Sequence, residues 1–119
     1  MDAKSLGNWG EKVASEYLRR GGYEIVELNY RTRFGKIDII AGNSDFLVFV
    51  EVKLRKNSRF AHAREFVTVK KRGKIKTCAL MWLSENDVVL QPRFDVIEIY
   101  APNGADGRCE INHIENAFE

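Results

Sequence analysis

Between Ser5 and Gly21 apolar side chains return every three or four residues, at Leu6, Trp9, Val13 and Tyr17, which predicts an amphipathic helix from about Ser5 to the Gly21-Gly22 pair. A second stripe, Gly7, Gly10, Glu11, Ala14 and Leu18, follows the same helix. Its small residues would let a neighbouring element come close, and Glu11 is the charge in that seam. The period then shortens to two. Tyr23–Tyr30, Lys36–Ala41 and Phe46–Leu54 read as strands, the last two joined across the turn-like "GNSD" as an antiparallel hairpin. Asn57–Val67 has no clear period and reads as a loop or short irregular element. From about Val69 to Leu83 a helical pattern returns, with Ile75, Ala79 and Trp82 on one face and Lys70, Lys71, Lys74 and Lys76 largely elsewhere. Trp9 and Trp82 are expected in the core. The segments "RFDVIEIYA" and "RCEINHIEN" read as two strands joined by the turn "PNGADG". Helix, three strands, helix, two strands predicts an α/β sandwich on a central mixed sheet.

Composition narrows the possibilities. The chain has 119 residues, 45% hydrophobic and 30% charged, which suits one domain over residues 1–119. The longest apolar run, Cys78–Leu83, falls far short of the ~20 residues that cross a bilayer, so no membrane partner is expected. "MDAKSLGNWG" lacks the apolar stretch of a secretory signal, and a cytoplasmic chain is expected. Cys78 and Cys109 show no C-x-x-C spacing and read as reduced structural thiols. Charge is lopsided within a net +2: Lys53–Lys76 holds ten basic residues against one acid, Glu65. That segment suits a polyanion, although a solvated helix face would look the same.

The candidate chemistry begins with "FLVFVEVKLRK", Phe46 to Lys56. An apolar run of the kind that buries both faces of a strand ends in charge. Alternation puts Leu47, Phe49, Glu51, Lys53 and Arg55 on one face and Val48, Val50, Val52 and Leu54 on the other. Glu51 and Lys53, about 6.6 Å apart along the backbone, can then converge on one object. Asp38 stands between isoleucines in "KIDIIA", where an isolated carboxylate is expensive to bury. The hairpin would set it on the strand beside Glu51. Two close carboxylates repel, one pKa rises, and a cation between them relieves both effects. An oxygen-only ligand set suits Mg2+ or Mn2+. Zinc is not indicated, because His62 and His113 lack ligand spacing and read as ordinary loop or strand residues. The (D/E)-x-K pattern alone carries little weight: chance gives roughly one occurrence in such a chain, and Asp2-Ala3-Lys4 is a second. Context distinguishes "EVK", and the rival reading is a buried network that satisfies itself. Asp95, on one face with Ile97 and Ile99, is expected to be such a hydrogen-bonded or Arg-paired residue.

Glu11 in a helix, Asp38 in "GKID" and Glu51 and Lys53 in "VEVK" resemble the PD-(D/E)xK nuclease superfamily. More closely, "GNWGEKVASEYL", "NYRTRFGKIDIIA", "LVFVEVKLR", "RFDVIEI" and "INHIENAF" are similar to the YraN-like family of predicted bacterial endonucleases, over nearly the whole chain. The resemblance implies a restriction-endonuclease-like or Holliday-junction-resolvase-like fold, a central mixed sheet flanked by helices. It implies Mg2+- or Mn2+-dependent hydrolysis of phosphodiester bonds, in structured or branched DNA. Asp38, Glu51 and the Val52 carbonyl would hold the ion, Glu11 would be an outer ligand, and Lys53 would orient the attacking water. Ile37 stands where the superfamily has proline, and Lys36 where the family usually has glutamate; Lys36 would add an ammonium for phosphate beside Asp38. Arg55, Lys56, Arg59, Arg64, Lys70, Lys71 and Lys74 are candidates to grip phosphates, and Arg31 and Arg33 would act likewise or stay solvated. Symmetric cuts on a junction would require a two-fold dimer. The rivals are a non-catalytic nucleic-acid-binding module on the same fold and a protein-interaction domain with an acidic partner.

Overall fold

In the computed structural model of the chain, which describes residues 2–55 and 67–119, the Asp2 carboxylate caps the first helix by accepting the Ser5 N–H at 2.8 Å. Helix α1 runs Ala3–Arg20; Arg19 and Arg20 in its last turn complement the dipole, and the Gly21 N–H closes on the Tyr17 and Leu18 carbonyls. Its buried face is Gly10, Ala14 and Leu18, the small-residue stripe. Trp9 packs against the edge of the core beneath this helix and is half-buried, less deep than the small-residue stripe. A helix lying close on a sheet buries its narrow seam and leaves the bulky stripe to flank the contact.

Strands β1 (Glu24–Thr32), β2 (Gly35–Gly42) and β3 (Phe46–Arg55) follow as antiparallel neighbours. Helix α2 (Val69–Glu85), capped by the Thr68 hydroxyl on the Lys71 N–H, leads to β4 (Gln91–Tyr100), parallel to β3. A single 3-10 turn, Gly104–Asp106, lies in the expected turn before β5 (Glu110–Phe118), antiparallel to β4. The described residues thus form a five-stranded mixed sheet in the order β1-β2-β3-β4-β5 between two helices. Every element agrees with the hydrophobic periodicity to within a few residues.

Alternation decides what lies under each helix. Val48, Val50, Ile97 and Ile99 pack with Ala14 and Leu18 of α1; Leu47, Phe49 and Val96 pack with Ile75, Cys78, Ala79 and Trp82 of α2. Both cysteines are free thiols, as expected. No helix among the described residues is long and apolar enough to cross a membrane.

Besides the register shifts at Ile25/Glu27 and Phe94/Val96, the regularity fails on β2. Ile37 and Ile39, two residues apart on β2, pack in opposite layers, and the β2–β3 ladder spans only Ile39–Gly42 against Leu47–Val50. Between them lies Asp38. Across the β1–β2 ladder, between the Leu28↔Ile39 and Tyr30↔Ile37 pairs, Asn29 takes the left-handed backbone (φ 51°) that asparagine tolerates better than most residues. Here β2 parts from β3 while β3 stays paired to β4 as far as Arg55.

Candidate active site

The gap between β2 and β3 is filled by a side chain. Asp38 Oδ2 accepts the Val52 N–H at 2.8 Å, replacing the ladder bond that β2 no longer supplies. In an extended residue the N–H and C=O leave the strand on the same side. The Val52 carbonyl therefore faces the same gap.

Around this point lies a cavity of about 350 Å³, lined by Glu11, Asp38, Glu51 and Lys53 together with Lys36, Lys71 and Lys74. The four side chains singled out for chemistry thus meet from three elements. Glu11 comes from α1 because Gly10 lets that helix approach: a Cβ there would stand 3.1 Å from the Leu54 side chain. Gly7, by contrast, has nothing within that reach and simply lines the cavity. Gly35 (φ 156°) brings β2 under α2, where a Cβ would meet the Lys74 side chain at 3.3 Å. Lys74 is thereby set near Lys36.

Asp38 and Glu51 are buried, at 4% and 5% exposure. Lys36 pairs with Asp38 at 3.1 Å; Lys71 and Lys53 pair with Glu51 at 2.5 and 3.7 Å. Burial, and then the charge of Asp38, push the Glu51 carboxyl above its ordinary value in spite of the two lysines. Lys53 is lowered by burial and by the neighbouring Lys71. Burial would lower Lys71 too, but its hydrogen bond to Glu51, the charge of Glu51 and its other contacts together outweigh that and raise it. Three carboxylates and four ammoniums leave the cavity with an excess positive charge, which suits an anionic ligand.

Among the described residues no three His, Cys, Asp or Glu side chains form a group that would hold a metal ion. Two carboxylates and the Val52 carbonyl are nevertheless a hard, oxygen-only donor set around one gap, and ammonium groups already lie against both carboxylates. The residues present therefore fit a Mg2+- or Mn2+-sized cation completed by water and phosphate. Glu11 stands back: its Oε1 accepts from Asn29 Nδ2 at 2.6 Å.

Of the expected phosphate-binding residues, Lys36, Lys71 and Lys74 reach the cavity. Lys70 is exposed and not among its lining. Arg55 does not line the cavity: its guanidinium lies 3.5 Å from the buried Glu98 carboxylate, which also accepts from Tyr100 and Asn112. Lys56, Arg59, His62 and Arg64 lie outside the described residues. Arg33 packs its guanidinium on the Phe34 ring. Asn29 and the Lys71–Glu51 pair were not foreseen. An asparagine inside a strand pattern was the available signal for the first; nothing local signals the second.

Asp95 is the self-satisfied carboxylate that the sequence suggests. It takes two bonds from Arg93, at 2.8 Å each, one from His113 Nε2 at 2.7 Å and one from the Asn116 N–H at 3.0 Å. His113, whose Nδ1 meets the Tyr17 hydroxyl at 3.1 Å, is part of this framework on β5.

Fold and site together define a mixed-sheet α/β protein whose strands part around paired carboxylates and lysines. The chain belongs to the family described as "Uncharacterised protein family UPF0102", whose model matches residues 10–99 and so spans Glu11, Asp38, Glu51 and Lys53. It is 42% identical to a UPF0102 protein of Syntrophomonas wolfei over 97% of this chain and 98% of the relative. It is 46% identical to one of Clostridioides difficile over 99% and 100%. One of Nocardia farcinica is 41% identical over 98% and 91%. The likeness to the YraN-like family is thereby supported at the level of membership.

Proposed function

We propose that the chain is a divalent-metal-dependent endonuclease of the PD-(D/E)xK type, with a restriction-endonuclease-like fold, hydrolysing phosphodiester bonds in structured or branched DNA. One observation carries the reading: Glu11, Asp38, Glu51 and Lys53 converge on a single cavity that keeps an excess of positive charge. A chain that only bound phosphate would have no use for buried, mutually repelling carboxylates at that place.

Asp38, Glu51 and the Val52 carbonyl would hold the cation. When bound, it supplies Lewis-acid charge that lowers the pKa of water and neutralises the scissile phosphate. Lys53, with its lowered pKa, orients the attacking water and stabilises the charge that builds on the phosphate. Glu11, held by Asn29, takes up an outer position through water. Lys36 and Lys74 bind the flanking phosphates as point charges.

A non-catalytic binding module is the second reading, and the Lys71–Glu51 contact favours it, since an ammonium there already neutralises the carboxylate. Cleavage of labelled junction, flap, duplex and single-stranded DNA in Mg2+ and Mn2+ separates the two. An endonuclease cuts at least one of them and loses ~1,000-fold or more in rate on Asp38→Ala, Glu51→Ala or Lys53→Ala. No cutting by the wild type, or cutting that all three variants keep, would sink the proposal.

A further inference from the structure

Lys71 does not sit where a lysine waiting for phosphate would. Its ammonium contacts Glu51 Oε1 more closely than does Lys53, the lysine two residues away on the same strand. Lys53 and Lys36 are both rooted beside the carboxylate they neutralise; Lys71 reaches across from the other layer, from α2 to β3. Its backbone is fixed by the Thr68 cap, but its side chain is 44% exposed, against 6% for that of Glu51. The partner free to leave is therefore the lysine, on its flexible four-carbon stem.

The helix end adds a second observation. The first turn of α2 carries Lys70, Lys71 and Arg72 and no acid, at the terminus where the dipole disfavours cations. Arg72 is offset by the Val67 carbonyl at 2.8 Å and Lys71 by Glu51. If Glu51 were taken by another cation, Lys71 would stand unpartnered at a positive helix end facing a cavity, and an incoming anion would be its natural replacement.

We propose that Lys71 is an internal counter-ion that holds the divalent cation's place on Glu51 and transfers to the substrate phosphate when that cation binds. The proposal rests on the metal-dependent reading of the site and adds its regulation. One ammonium leaves Glu51 for a phosphate monoanion, and the arriving dication is shared by the Glu51 and Asp38 carboxylates. Cation and DNA binding are then reciprocally coupled through one side chain, each raising the affinity for the other by the same factor. The site disfavours the ion until a polyanion gives Lys71 somewhere else to go.

The test is calorimetric titration of Mn2+ into the wild-type chain and Lys71→Met, each alone and with a phosphorothioate-substituted four-way junction, with Asp38→Ala as reference. Without DNA, Lys71→Met binds Mn2+ about tenfold more tightly than the wild type, the equivalent of one charge-assisted hydrogen bond removed from Glu51. The junction tightens Mn2+ binding to both proteins through the phosphate that completes the ion's coordination, and by about a further tenfold in the wild type, where it also draws Lys71 off Glu51. Equal Mn2+ affinities that Asp38→Ala abolishes would overturn the counter-ion role and leave the metal site standing. A junction effect as large in Lys71→Met as in the wild type would overturn it as well. Absence of Mn2+ binding in both proteins, or binding indifferent to Asp38→Ala, would overturn the metal reading itself and the counter-ion role with it. Should Lys71→Met not reproduce the wild-type circular dichroism spectrum, Lys71→Gln replaces it with the same expectations.

Discussion

Glu51 and Asp95 lie one rung apart on neighbouring parallel strands, since Glu51 pairs with Val96 and Asp95 with Val50. They point to opposite faces of the sheet. Both are buried and both contact cations, yet their acidities move in opposite directions. Burial pushes Asp95 up, but bonds from His113, Arg93 and the Asn116 N–H outweigh it and hold the carboxyl below its ordinary range. Glu51 is pushed above that range, because burial and then the charge of Asp38 outweigh its lysines. The asparagines with left-handed backbones divide between the two clusters: Asn116 gives its N–H to Asp95, and Asn29 gives its side chain to Glu11. Asp95 is fully bonded by fixed groups of the fold, whereas Glu51 keeps an electrostatic demand that an exchangeable group can meet.

Substitution should pull these roles apart. The largest expected effect is at the cavity: Asp38→Ala should lose ~1,000-fold or more in cleavage rate while its urea midpoint moves much less than that of an Asp95 variant. An Asp38→Ala that unfolds as readily as Asp95→Ala would make the cavity a structural network after all. Next in size, Asp95→Ala should cost about 3–5 kcal/mol, because it strands a buried Arg93. Chemical denaturation measures this loss, and the cleavage rate per folded molecule should stay at the wild-type level.

Acid titration sharpens the contrast further. Asp95 has a lowered folded pKa, so its stabilisation is complete above its unfolded value of about 3.9 and is lost as pH falls through the folded value. Glu51 has a raised folded pKa and binds more protons folded than unfolded. Its destabilisation is relieved as pH falls from neutral toward its unfolded value of about 4.3. Cation-free stability should therefore rise on mild acidification and then drop sharply. Glu51→Gln should remove the rise and Asp95→Asn should soften the drop; a rise that survives Glu51→Gln would assign it elsewhere. The smallest effect is expected from Asn29→Ala. Loss of one hydrogen bond to Glu11, about 1 kcal/mol, should slow cleavage about fivefold with the Mg2+ dependence altered, and a variant cutting at the wild-type rate would remove Asn29 from the site.

How far the sequence anticipates these clusters depends on the range of each interaction. Glu51 beside Lys53 and Lys36 beside Asp38 follow from a period of two, and both pairs are present. Asp95 among isoleucines announced a buried carboxylate, though not its partners. What escapes is rotation and long-range contact. The helical period marks two stripes on α1 without telling which one lies deeper against the sheet. The parting of β2 from β3 depends on a backbone amide finding Asp38 across the hairpin, and the Lys71–Glu51 pair joins residues of different layers. Arg55 looked available for phosphate because the demand of Glu98, itself hidden in an apolar run, is invisible locally.

Gly10 and Leu54 share one volume: where the helix lacks a side chain, the strand supplies a leucine. The neighbours of those residues are Glu11 and Lys53, so the width of the cavity they line is set by how these two positions divide that space. Gly10→Ala alone crowds Leu54 and moves Glu11 outward, while Gly10→Ala with Leu54→Val restores the sum, and the two substitutions together should harm cleavage less than their separate effects predict. The reach of the acid from the helix is thus measured out by a missing methyl group.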